Sequence, residues 1–225
     1  MGYGIHQHKL YHPEGVEYIP SPDHGGEITP EAIILHYTAG SSAKSDVRWL
    51  TMRDEIYVSA HLVIGRAGEV TQLIPFNQRA YHAGRSSWEG RQELNGWSIG
   101  IEFANWGKLR RVDNECLSWS GALITKERIA QVADTYWETF YTTQLEIGKV
   151  ICSLLLKTYP IKYILGHYEV APGRKIDPGG AFPLEAFRPD VLRKKTDTLT
   201  EEDRILDLER RVALLEGRIL INDDE

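Results

Sequence analysis

Two short apolar runs constrain this chain most. Glu31–Tyr37 (EAIILHY) and Trp97–Ala104 (WSIGIEFA) are too short to be core helices and are rich in isoleucine, so both suit buried strands. Each carries one residue that burial makes costly: His36 near the end of the first, Glu102 inside the second. Strand alternation puts Gly100 and Glu102 on one face and Ile99, Ile101 and Phe103 on the other. A carboxylate so placed is either on a solvent-facing edge or aimed into a cleft as a general base.

The remaining chain supplies elements around those strands. Residues 1–30, rich in Tyr, His, Pro and Gly without a period, read as an irregular arm. Asp46–Arg53 reads as a short helix with Val47, Leu50 and Trp49 as inward candidates. Tyr57–Ile64 and Glu69–Pro75 flank Arg66-Ala67-Gly68 and predict a hairpin, with Gly68 at the turn. Tyr81–Gly90 reads as a loop and Asn105–Gly121 as an insertion or extended hairpin. Lys126–Tyr141 and Gln144–Thr158 read as helices, Tyr163–Gly166 as a strand, Tyr168–Ala181 as a loop and Ala186–Lys195 as a terminal helix. Strands alternating with helices predict an α/β domain over residues 31–197, with a mixed central β-sheet flanked by helices.

Composition excludes several classes. With 42% apolar and 26% charged residues the chain has a soluble globular profile, and no apolar run approaches the ~20 residues that cross a bilayer. The opening MGYGIHQHKLYHPEG lacks a basic segment followed by an apolar one, so synthesis in the cytoplasm without a signal peptide is expected. Cys116 and Cys152 read as free thiols. The net charge is −6; residues 198–225 hold nine acids against four arginines, leaving −1 for the rest, so a nucleic-acid partner is not expected. In that acidic tail Ile205, Leu208, Val212, Leu215 and Ile219 form a heptad seam, with Arg204 and Arg211 placed to meet Glu209 and Glu216 of a second copy. A coiled-coil helix forming a parallel homodimer through residues 205–219 is the expectation.

His36 and His167 each end a strand, and HYEVAPGRKIDPGG packs His167, Lys175 and Asp177 among prolines and glycines. Two imidazoles and a carboxylate are a common protein contribution to catalytic zinc, so His36, His167 and Asp177 form a candidate ligand set, although scattered residues of these types also occur in solvated loops. Lys175 is a candidate to steady a developing oxyanion.

Four separated blocks carry a resemblance: HYTAG at His36, SAHLVIGRAGEVTQLIPFNQRAYHAG at Ser59–Gly84, SIGIEF at Ser98, and GHYEVAPGRKIDPG at Gly166. In this order they resemble the zinc-dependent N-acetylmuramoyl-L-alanine amidases of the type 2 family, which includes phage endolysins, the anhydro-muropeptide amidase of wall recycling and the peptidoglycan recognition proteins. The resemblance covers roughly Glu31–Phe187. It implies one Zn2+ per chain on His36, His167 and Asp177, Glu102 activating the attacking water, and Lys175 two residues before the third ligand. Tyr81-His82-Ala83-Gly84 matches a substrate-side loop that usually reads Trp-His-Ala-Gly. Tyr37, Tyr81 and His82 are the expected substrate contacts there, and His61 reads as a structural or outer residue. Arg110 and Arg111, with Trp106 or Trp119, are candidates to grip glycan or peptide from the insertion; the plainer reading is a surface hairpin with a tryptophan staple.

The resemblance implies hydrolysis of the amide between N-acetylmuramic acid and L-alanine. The insertion and tail favour a phage-type lytic amidase that reaches peptidoglycan after release through a membrane lesion. The blocks around His82 and Lys175 resemble the recycling amidase instead, which would act on soluble muropeptides in the cytoplasm. A non-catalytic peptidoglycan-binding module is the third reading.

Overall fold

The computed structural model describes residues 2–52 and 57–196. In chain order the elements used below are β1 (Glu17–Tyr18), β2 (Ala32–Tyr37), α1 (Ala43–Thr51), β3 (Leu62–Ile64), β4 (Val70–Gln72), β5 (Ser98–Phe103), β6 (Lys108–Val112), β7 (Glu115–Leu117), β8 (Leu123–Ile124), β9 (Ile129–Val132), β10 (Thr135–Glu138), α2 (Thr142–Thr158), β11 (Tyr163–Gly166), α3 (His167–Val170) and α4 (Leu184–Thr196).

The two apolar runs are neighbours at the centre of a six-stranded sheet ordered β11-β2-β5-β3-β4-β1. β2 and β5 pair in parallel, β11 and β3 add in parallel outside them, and β3–β4 is the antiparallel hairpin closed at Gly68. One face of the sheet presents Ile33, Leu35, Ile99, Ile101 and Phe103, all buried, to Ile147, Ile151 and Leu155 of α2 and Phe187 of α4. Each such side chain contributes about 1.5–3 kcal/mol by leaving water. Gly148 is where Phe103 enters α2: a Cβ there would lie 2.7 Å from the ring. The opposite face carries Ala32, Ile34 and His36 from β2 and Ser98, Gly100 and Glu102 from β5, and there the site is built.

Helix α1 starts at Ser42, whose hydroxyl accepts from the Ser45 amide in a capping box. It buries Val47 and Leu50, but Trp49 is 58% exposed, so it is not an inward residue.

Several expectations are corrected. Lys126–Tyr141 is not helical: β9 and β10 form an antiparallel hairpin there. Its β-branched and aromatic residues suit a strand, and its turn at Ala133, with φ of 50°, lacks the glycine that would have marked it. The insertion therefore runs on through Glu138 as a second, antiparallel sheet, β8-β7-β6-β10-β9. Residues 1–30 are not irregular. Gly4–His6 pairs with Lys9–Tyr11, β1 extends the main sheet beside β4, and His24–Glu27 pairs with Gln78–Ala80. The loop after β11 opens with the short helix α3, and the Tyr81–Gly90 loop contains a two-residue strand at Ser87–Trp88. The expected coiled coil and homodimer fall on residues 205–219, outside the described residues. Cys116 and Cys152 are buried free thiols, and no helix among the described residues is long and apolar enough to cross a membrane.

The second sheet is tied to the first through Glu138. Its buried carboxylate accepts from Arg66 Nη2 at 2.9 Å and Nε at 3.2 Å and from the Trp106 amide at 2.5 Å, with Arg128 at 3.8 Å. Arg66 also donates to the carbonyls of Gly40 and Ser41, fixing the loop that follows His36.

Candidate metal centre

Three elements deliver the site. His36 is the fifth residue of β2; His167 opens α3 directly after β11; Asp177 sits ten residues later on the same loop. Because β2 pairs with both β5 and β11, His36 lies beside Glu102 in register and close to the end of β11. His36 Nδ1 is 2.8 Å and His167 Nδ1 3.0 Å from the same oxygen, Asp177 Oδ2, and all three residues are buried. The imidazole rings meet edge to face, centroids 4.6 Å apart.

Hydrogen-bond accounting decides what this cluster suits. His167 Nε2 faces the Ala83 carbonyl at 3.0 Å, which can only accept, so that nitrogen carries the proton. His36 Nε2 contacts His82 Nδ1 at 3.0 Å. His82 Nε2 in turn faces Ser98 Oγ at 3.3 Å, and Ser98 spends its hydroxyl proton on the Leu94 carbonyl at 2.6 Å. With outer nitrogens protonated, neutral imidazoles turn two Nδ1 lone pairs toward a carboxylate. Burial pushes the His36 pKa down to about 4, Asp177 pulling against it, so the neutral form holds at pH 7. Against the opposing effect of burial, the two adjoining imidazoles hold the Asp177 pKa below its ordinary value, so the group is an anion. Converging lone pairs with no proton between them fit a divalent cation, and an N,N,O set suits zinc. The outer hydrogen bonds are of the kind that orient metal-binding imidazoles.

Glu102 lies beside this cluster with Oε2 buried and unpartnered. Burial first, then the carboxylates of Asp177 and Asp46, raise its pKa well above the usual range, with Lys175 partly opposing. Lys175 is exposed on the loop before Asp177, its amide bonded to the Ala171 carbonyl at 3.1 Å.

The other expected site residues separate. Tyr37 is half-buried, its ring against the α-carbon of Gly107 just before β6, and burial raises its pKa to about 12. Tyr81 is half-buried with its ring 6.3 Å from that of Tyr57. His82 is only 8% exposed with both nitrogens engaged, so it offers no free nitrogen to a substrate. Arg111 is held on its own sheet by the Asp113 carbonyl and the Tyr136 hydroxyl, and Arg110 stands exposed on β6; neither hydrogen-bonds to the His–Asp cluster. Trp119, 72% exposed, donates its indole N–H to the Ala39 carbonyl three residues after His36 and meets Trp106 edge-on. His61 is structural: Nδ1 accepts from the Gly100 amide at 3.0 Å and Nε2 donates to the Gln78 carbonyl at 2.9 Å.

Three contributors had escaped the sequence. Arg174 reaches from the Asp177 loop to the carbonyls of Ala83 at 2.7 Å and Arg85 at 2.6 Å. Asn95 accepts from the His82 and Ala83 amides. Ser98 supports His82. The only signal was their position, next to Lys175 and at the mouth of the SIGIEF strand.

The family model described as N-acetylmuramoyl-L-alanine amidase matches residues 26–180, which include all three cluster residues and Glu102. The chain belongs to this amidase family. It is 33% identical over 141 residues to the 1,6-anhydro-N-acetylmuramyl-L-alanine amidase AmpD of Escherichia coli (strain K12), a match covering 62% of this chain and 61% of that protein. The crystal structure of a selenomethionine AmpD derivative superposes with a TM-score of 0.61 at 26% identity, covering 83% of this chain and 98% of that one. AmpDh3 from Pseudomonas aeruginosa, solved in complex with an anhydromuramic pentapeptide, gives a TM-score of 0.56 at 26% identity over 85% of this chain and 73% of its own. The mixed α/β sheet is thus an amidase-family fold, and the His–Asp cluster is consistent with the zinc site typical of that family.

Proposed function

We propose that this chain is a zinc-dependent N-acetylmuramoyl-L-alanine amidase acting on soluble anhydro-muropeptides. The observation that carries the reading is the convergence of His36 Nδ1, His167 Nδ1 and Asp177 Oδ2 beside Glu102, in a chain of this family. The likeness to AmpD, whose name specifies the 1,6-anhydro-muramyl amide, favours the recycling substrate over the lytic role that the insertion and tail suggested. The intact cluster argues against a module that only binds.

His36, His167 and Asp177 would hold the metal. When bound, zinc supplies Lewis-acid polarisation of a carbonyl and lowers the pKa of water toward 7. Glu102 takes the proton of the attacking water at Oε2 and returns it to the leaving L-alanine amine. Burial raises its proton affinity, which strengthens it as the acceptor of that proton. Lys175 places a cation beside the reacting carbonyl. Arg174 binds the Asp177 loop to the Ala83–Arg85 segment, so the third ligand and the carbonyl that orients His167 are held by one side chain. Trp119 and Tyr37, close in sequence or contact to the His36 strand end, would wall the substrate.

The test is mass spectrometry of two digests, one of anhydro-muropeptide and one of purified sacculi, each with and without a chelator. Chelator-sensitive release of stem peptide beginning at L-alanine from the soluble substrate, and much less from sacculi, is expected. Release from sacculi at an equal or higher rate would restore the lytic reading. No release from either would overturn the amidase reading.

A further inference from the structure

We infer that His82 is a positioning residue for the metal: its Nδ1 accepts the proton of His36 Nε2 and so keeps His36 in the tautomer whose Nδ1 is a free ligand. This rests on the zinc reading above.

The direction of the chain of hydrogen bonds is fixed from its far end. The Leu94 carbonyl has no proton to give, so the Ser98 hydroxyl donates to it, at 2.6 Å. That hydroxyl then meets His82 Nε2 with a lone pair, and His82 must carry its proton on Nε2. His82 Nδ1 is left as an acceptor, 3.0 Å from His36 Nε2, which therefore holds the His36 proton. The result is a lone pair on His36 Nδ1, pointing at Asp177 Oδ2, 2.8 Å away.

The surroundings hold His82 to this task. Asn95 Oδ1 accepts from its backbone amide at 3.1 Å. Its ring lies flat over Gly100 of β5, where a Cβ would come within 2.4 Å of Cγ. The ring is buried, so an alternative bond to water is closed off. Removing such an outer partner of a metal-ligating histidine usually costs 10–100-fold in metal affinity.

The test compares full-length wild type, His82→Phe and His82→Asn by competitive Zn2+ titration against a chromophoric chelator. Long-range 1H–15N spectra of the histidine rings are recorded alongside. Phenylalanine fills the space without an acceptor; asparagine keeps an acceptor oxygen where Nδ1 stood. The expected result is a 10–100-fold weaker Zn2+ affinity in His82→Phe and recovery to within about fivefold of wild type in His82→Asn. In wild type the His36 ring should show the Nε2–H tautomer before zinc is added. Equal affinity in all three proteins, or a wild-type His36 protonated on Nδ1, would overturn the inference while leaving the zinc reading intact. If wild type itself binds no zinc, the failure lies with the zinc reading. Should His82→Phe not fold, the wild-type His36 tautomer still decides.

Discussion

His36 and Glu102 are register partners on adjacent parallel strands. This pairing puts a candidate ligand and a candidate proton carrier side by side on the rigid centre of the sheet rather than on loops. Glu102→Gln keeps the shape and removes the charge. We expect it to bind zinc as wild type does and to lose about 10²–10⁴ in turnover, read by following L-alanyl peptide release at saturating substrate. Turnover within tenfold of wild type would assign the proton transfer elsewhere.

Asp177 is the one anion among the three converging groups, and both imidazoles lean on it. Asp177→Ala should leave the protein with well under one zinc per chain after dialysis, measured by atomic emission. Because two neutral histidines then face a void, thermal stability in the presence of chelator should change less than the metal content does. Retention of a full equivalent of zinc would remove Asp177 from the ligand set.

Glu138 ties the second sheet to the domain, and its carboxylate is nearly sealed from solvent between Arg66, Arg128 and the Trp106 amide. Breaking a buried ion pair from one side strands the other charge. Glu138→Ala should lower unfolding free energy by about 3–5 kcal/mol in urea. It should also open the segment between Asn105 and Phe140 to limited proteolysis before the rest of the chain. A loss below about 1 kcal/mol would mean that Arg66 finds water instead.

The strands that carry the candidate site were legible because each is a short apolar run interrupted by one residue that does not belong in a core. That incongruity marked His36 and Glu102, and the alternation around Glu102 named its face correctly. The hairpin at Gly68 was legible because glycine supplies its positive φ. The β9–β10 hairpin was not, because its turn is made by Ala133 and its apolar spacing also suits a helix. The edge strands of the first thirty residues were hidden for a related reason. They are two to four residues long and exist only through partners distant in sequence, as when the Leu10 amide donates to the Gln72 side chain. At the site, residue types alone proposed three ligands, but nothing local distinguishes a histidine that touches substrate from one that braces a ligand. His82 took its meaning from Ser98 and His36, sixteen residues after it and forty-six before it.

His61 gives a pH prediction. Burial pushes its pKa down to about 4, against an ordinary value of 6.5, with the Gln78 carbonyl pulling weakly upward. Below pH 6.5 the unfolded chain takes up a proton at this position that the folded one refuses. The stabilising contribution is therefore complete above about pH 6.5, falls as the pH drops, and is gone once the folded site also titrates near pH 4. A depression of that size corresponds to about 3 kcal/mol. His61→Asn keeps an acceptor for the Gly100 amide but cannot titrate. Both proteins should be compared metal-free, so that zinc release in acid affects neither. The variant should melt below wild type at pH 7, and the gap should close as the pH is lowered to 4. A gap that stays constant across that range would show that His61 is not held neutral by its burial.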